Sequence, residues 1–158
     1  MRKKMTRPEQ PVAISSVQIA SVSISAAQLL TMSVAPVTLI AAHGVGNIVV
    51  PVFIAGAFKF GTAPYQGVNS PIVSYGSFNG PRVTAPGRVD SSYNALPAFF
   101  MAGSDQYVFP TLIGDAGIGV ETNLPNVANQ PIVLSDDSVW TVGDGTASFV
   151  IGYIVFTP

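Results

Sequence analysis

A chain of 158 residues has room for one domain with a full core and argues against two. Only 9% of its residues are charged, against about 25% in an ordinary globular protein, while 48% are hydrophobic and the mean hydropathy is +0.46. That balance excludes intrinsic disorder and leaves too little charge to disperse a lone subunit well, so the chain sits in a membrane or hides much of its surface against other chains.

The charges are unevenly placed. Arg2, Lys3, Lys4 and Arg7 are four of the seven basic residues. Beyond them, Lys59, Arg82 and Arg88 face all eight acids, a net of −5. A basic arm (residues 1–13) therefore precedes a mildly acidic body (14–158), read as a single β domain. No charged residue lies from Gln10 to Phe58, yet a membrane helix does not fit there. A span needs about 20 mostly apolar residues. The best run, Ile48–Phe58, is shorter and holds Pro51 and Gly56. Pro8, Glu9, Gln10 and Pro11 follow the basic start with no continuous apolar stretch after them, so a signal peptide does not fit either. The cysteine count of zero removes disulfides, thiolate metal sites and a Cys nucleophile, and fits cytosolic assembly.

Thirteen prolines and fifteen glycines punctuate the chain. The longest window free of both, Val12–Ala35, begins with β-branched residues often spaced by two, which is strand chemistry. Within it, Ser25-Ala26-Ala27-Gln28 has the form of a capping box, predicting a short helix over Ala26–Met32. Pro36–Ala41 reads as a strand and His43–Asn47 as a turn. Ile48–Phe60 reads as a long strand, bulged or at an edge near Pro51 because proline cannot donate to the ladder. A loop over Thr62–Asn69 and a strand over Ile72–Ser77 follow. Asn79-Gly80-Pro81 is a turn, and Arg82–Ser92 has no clear pattern. Tyr93–Met101 fits a short helix or a strand broken by Pro97. Gln106–Ile113 reads as a strand and Gly114–Asn129 as loop. Pro131–Leu134, Val139–Val142 and Thr146–Phe156 close the chain as strands, with Asp144-Gly145 as a two-residue hairpin turn between the last two.

Short strands with turn signals and no long helix predict an all-β fold, an antiparallel β-sandwich of jelly-roll-like type. It carries one or two short helices and an extended N-terminal arm. In the last strand, Thr146 and Ser148 alternate with Ala147 and Phe149, but Val150–Phe156 puts apolar groups on both faces. A half-exposed strand would keep alternating. The second half is therefore covered on both sides, by the same chain or by another subunit.

The inventory for catalysis is thin. His43 stands in a Gly-rich turn, with no Gly-x-Ser-x-Gly elbow and no second His or Cys. Asp136, Asp137 and Asp144 do not match a calcium loop and read as polar turns. Gly44-x-Gly46 and Gly114-x-x-Gly117-x-Gly119 lack the Gly-Lys-Ser/Thr ending of a phosphate loop. No basic patch with interleaved aromatics marks the body, so specific nucleic-acid binding is not expected. The residues expected to meet partners are Arg2, Lys3, Lys4 and Arg7 on the arm, and Ile151, Tyr153, Ile154 and Phe156 on the last strand. No catalytic residue, cofactor or metal ligand is expected.

The stretch Ser21–Gly67 contains a strand, then Ser25-Ala26-Ala27-Gln28-Leu29, a Pro36-Val37-Thr38-Leu39 strand and a Gly44-x-Gly46 turn. A long apolar strand then ends near Gly61-Thr62-Ala63-x-Tyr65. Asn129–Phe156 carries a Val133-Leu134-Ser135 strand, a Gly143-Asp144-Gly145-Thr146 turn and an alternating strand through Tyr153. Both stretches resemble small β-rich virion structural proteins of tailed bacteriophages. Together they cover about half the chain. The family's Gly-x-Gly-Lys turn has Asn47 in place of Lys here, and residues 82–128 resemble nothing in it. The resemblance implies a structural role on a phage particle and does not fix head, collar or tail. Taken with the composition, the leading expectation is a non-enzymatic virion protein assembled in the host cytoplasm, a capsid decoration or cement protein foremost, with two kinds of partner: copies of itself in a homo-oligomer such as a trimer, and the major capsid protein or another virion protein. Two alternatives stand beside it. One is a tail, collar or fibre-associated component. The other is a carbohydrate-binding module, which predicts Trp140, Tyr65 or Tyr75 exposed along one concave face.

Overall fold

Local chemistry positions most elements where the sequence places them. The computed structural model describes residues 13–14, 16–67, 71–77, 99–108 and 128–157. The β-branched start forms strands β1 (Ala13–Ile14) and β2 (Gln18–Ile24). Ser25 ends β2 and caps helix α1 (Ala26–Thr31). The Gln28 N–H donates to Ser25 Oγ at 3.3 Å, and the Ser25 N–H donates to Gln28 Oε1 at 3.0 Å, which completes the expected capping box. The helix turns Leu29 inward. Strand β3 (Val37–Ile40) leads into a turn in which Gly44 has φ +94° and Gly46 φ +82°, values that suit glycine. Strands β4 (Ile48–Lys59), β5 (Ile72–Tyr75), β6 (Gln106–Val108), β7 (Ile132–Ser135) and β8 (Thr146–Thr157) follow. Residues 1–12, the turn at Asn79-Gly80-Pro81, Arg82–Ser92, most of Tyr93–Met101 and of Gly114–Asn129, and the end of Gln106–Ile113 lie outside the described residues.

The strands form two antiparallel sheets, so the all-β sandwich expectation holds, with the short helix α1 and a helical pair at Phe99–Phe100 among the described residues. The large sheet has β8 and β4 at its centre, β6 on the outer side of β4, and β1 and β2 together along the other flank of β8. The small sheet runs β3–β7–β5. From β2 to β8, each successive strand lies in the opposite sheet. The pairs β2–β8, β3–β7 and β4–β6 nest inside one another, as in a ribbon of paired strands rolled over on itself.

A bulge breaks the β4–β8 ladder. Along β4 the register passes from Pro51↔Tyr153 to Phe53↔Gly152, which inserts one extra residue beside Pro51. Pro51 thus sits at a bulge, as expected. It also lies in the part of β4 that β6, paired only with Gly56–Phe58, does not reach.

The core fills the space between the sheets. From β8 it takes Ala147, Phe149, Ile151 and Tyr153, from β4 Val49 and Phe58, and from the small sheet Val37, Leu39, Ile40, Ile132 and Leu134. A chain of ring contacts runs Phe149–Phe99–Phe58–Phe100–Trp140–Tyr65, with centroid separations of 5.6–6.2 Å from link to link.

The expected hairpin around Asp144-Gly145 is not formed. Val142 makes one isolated bridge with Gln66 instead, and Val139–Val142 is not a strand. The reason is that β8 already has a partner on each edge, so a strand returning beside it finds no free ladder.

Candidate interaction surface

The pleat sorts the predicted contact residues of β8 onto two faces. Ile151 is fully buried and Tyr153 nearly so, both inside the core cluster. The Tyr153 ring lies 5.5 Å from that of His43, and its hydroxyl donates to Gln18 Oε1 at 3.0 Å. Ile154 and Phe156 are half-buried and lie outside that cluster, on the opposite face. Arg2, Lys3, Lys4 and Arg7 lie outside the described residues.

Residues paired across a ladder point to the same side, so the register maps the outer face of the large sheet. One row is Ile19–Gly152–Phe53, the next Ser21–Val150–Ala55. Then come Ser23–Ser148–Ala57–Tyr107 and Thr146–Lys59. Toward the other end lie Val50–Ile154 and Ile48–Phe156. Lys59 is the single charge among these positions. Ile19 is 59% exposed, Val150 41% and Tyr107 65%. Ile48 is buried without belonging to the core cluster, so this end is covered on its outer side too. At the hydroxyl-bearing end the face dips into an open cleft of about 580 Å³, with Ser23, Gln28, Lys59, Asp105, Tyr107 and Ser148 in its lining. A neutral sheet face with exposed aliphatic and aromatic side chains suits packing against another protein surface.

The polar groups that sequence reasoning underrated are structural. Asp144 Oδ1 accepts the N–H groups of Thr62 (2.7 Å) and Ala63 (2.9 Å), and its Oδ2 accepts the Thr62 hydroxyl (2.6 Å). The Thr62 hydroxyl, then the N–H groups of Ala63 and Thr62, hold the carboxyl below its usual range. Tyr65 donates to the Gly145 carbonyl at 2.7 Å, and its hydroxyl pKa is pushed up to about 12 by burial, with the Asp144 charge adding to it. Tyr75 donates to the Val49 carbonyl at 2.7 Å and is likewise raised to about 12 by burial.

Asn47 is a second hub. Its Nδ2 donates to the His43 carbonyl and its Oδ1 accepts the Thr157 hydroxyl, both at 2.7 Å. Its carbonyl accepts the Asn129 N–H, also at 2.7 Å. Asn47 therefore ties the β3–β4 turn to the end of β8. Its position after Gly-x-Gly was the available signal. A short amide bonds locally to turn backbone as a lysine cannot.

Two of the three residues expected on a sugar-binding face do not form one, while Tyr75 is half-buried. Trp140 and Tyr65 are 2% and 1% exposed and stack edge-on in the core, so they cannot present a sugar platform. Among the described residues no group of three or more His, Cys, Asp or Glu side chains is placed to hold a metal ion, and no helix is long and apolar enough to cross a membrane.

No protein-family model matches the chain, and no curated protein matches it. Among solved structures it is similar to a chain of the "Cyanophage Pam1 capsid asymmetric unit", at 13% identity over 100% of this chain and 98% of that one, with a TM-score of 0.36. A likeness at that level carries no functional argument.

Proposed function

We propose that this chain is a non-enzymatic structural protein of a bacteriophage virion, in the first place a capsid decoration or cement protein. The observation that carries the reading is the outer face of the large sheet, where Lys59 is the single charge among the described paired positions while Ile19, Val150 and Tyr107 stand exposed. Such a face gains from being covered: burial contributes about 25 cal/mol per Å² of apolar area. The resemblance of Ser21–Gly67 and Asn129–Phe156 to virion proteins of tailed phages supports it. So does the nested strand order, which we read as a jelly roll, an architecture shared by viral capsid and lectin domains.

In this reading the chain assembles with copies of itself and rests on a shell protein. Ile154 and Phe156, half-buried beside the covered Ile48, border the contact, whereas Ile151 and Tyr153 act from beneath by fixing β8. Arg2, Lys3, Lys4 and Arg7 reach across to an acidic neighbouring surface, consistent with the net −5 of the chain beyond Arg7. Quantifying the chain in purified virions by mass spectrometry, with and without residues 1–10, tests this. The expected result is stoichiometric presence, reduced by the deletion while the β domain stays folded. Absence from virions overturns the proposal; unchanged occupancy overturns the role of the arm.

A further inference from the structure

Each sheet of an open sandwich leaves two edges whose backbone N–H and C=O groups invite another strand. Proteins guard such edges with short strands, bulges, prolines or charges. Among the described residues three of the four edges here are guarded. Strand β6 is 3 residues long and β5 is 4. Strand β3 is 4 residues long and its register is broken between Thr38 and Ile40. The fourth edge, β2, is different. It runs 7 residues from Gln18 to Ile24, pairs β8 without a break over its whole length, and contains no proline or charge. No other described strand pairs with its free side.

We infer that β2 pairs with β2 of a second copy, antiparallel about a two-fold axis at Ser21. This deepens the self-association within the proposed function and does not depend on the virion assignment. The occupant follows from charge. In a two-fold contact a residue near the axis meets its own copy, so any charge there repels itself. The chain has none from Gln10 to Phe58. Centring the axis on Ser21, the middle of the strand, sets Ser21 against Ser21, Ile19 against Ser23 and Ala20 against Val22. On the outer row, each exposed Ile19 then lies beside a small hydroxyl residue. On the inner row, the smallest side chain meets a larger one. The two large sheets become one, running β6–β4–β8–β2 and on through the second copy in reverse. The contact closes on itself, and the combined sheet ends at the short β6 strand of each copy.

The test is sedimentation equilibrium on the full chain, wild type against Ser21→Lys and Ser21→Glu. Ser21 is exposed, so both variants keep the fold. The wild type is expected to be a dimer, and each variant alone should dissociate with a constant raised about tenfold or more. Mixing the two variants should restore the dimer, because only a two-fold at this position sets Lys against Glu. Hydrogen exchange on the wild type supplies a second readout that needs no variant: amides within Gln18–Ile24 should exchange more slowly as concentration rises. A wild-type monomer, variants that dimerise undiminished, a mixture that stays dissociated, or concentration-independent exchange in β2 overturns the inference. A dimer found in solution but missing from virions overturns the virion assignment alone.

Discussion

The Asp144 carboxylate ties residues 62–63 to the turn that starts β8, through two N–H groups and one hydroxyl. Because folding lowers its pKa, its contribution is present above the unfolded-state pKa and is lost as pH falls through the folded one. Asp144→Ala is therefore expected to melt below the wild type at neutral pH, with the difference closing on acidification. Thermal unfolding across that range checks this, and a constant gap down to about pH 2 would contradict it. Tyr65 works in the opposite window. Its pKa is raised from 10.0 to about 12, so the buried neutral phenol stabilises the fold below pH 10, and that contribution falls away as pH rises toward 12. Tyr65→Phe leaves the buried Gly145 carbonyl without this donor and should lose about 1–3 kcal/mol in denaturant titration at pH 7, with a flatter alkaline profile. Gly143 has φ +132°, and a Cβ there would run into the Tyr65 ring. Gly143→Ala is expected to destabilise by about 2–4 kcal/mol, since backbone strain and overpacking act together.

Among the elements, β2, α1, β3, β4 and β8 were legible from residue chemistry. The capping box at Ser25 and Gln28 set the start of α1, and Ser25→Ala should destabilise the domain by about 1 kcal/mol in the same titration. Proline's missing N–H located the bulge beside Pro51 without any knowledge of its partner strand. What was not legible depended on pairing over long distances. Asp144-Gly145 looks like a hairpin because the hairpin signal is local. It fails because β8 is enclosed by β2 and β4, strands some 90–130 positions away in sequence. The mixed surface of β8 is a similar case. Period two shows that Ile151 and Ile154 differ in face, but not which face is the core; that required the small sheet and α1. Trp140 was indistinguishable by composition from an exposed platform, and only the ring cluster around Phe58 and Phe100 makes it internal.

At the scale of the molecule, the low charge noted in the composition resolves into a place. Among the described residues, acidic and basic groups are absent from the centre of the large sheet's outer face, and its edge strand β2 is equally neutral. Every strand pair between named elements joins strands distant in sequence, so folding is expected on the millisecond-to-second scale, measurable by stopped-flow fluorescence of the buried Trp140. The proposed function requires that other virion chains cover this face. Val150, exposed at its centre, is the place to break that contact without touching the core. The most direct measurement is occupancy of the chain on virions assembled with wild type or Val150→Lys, read in a cryo-EM map of each particle. The account predicts density for the wild type with the large sheet's outer face against a neighbouring chain, and its loss in the variant although that protein remains folded. A map that shows this face open to solvent, or equal density for both, would contradict it.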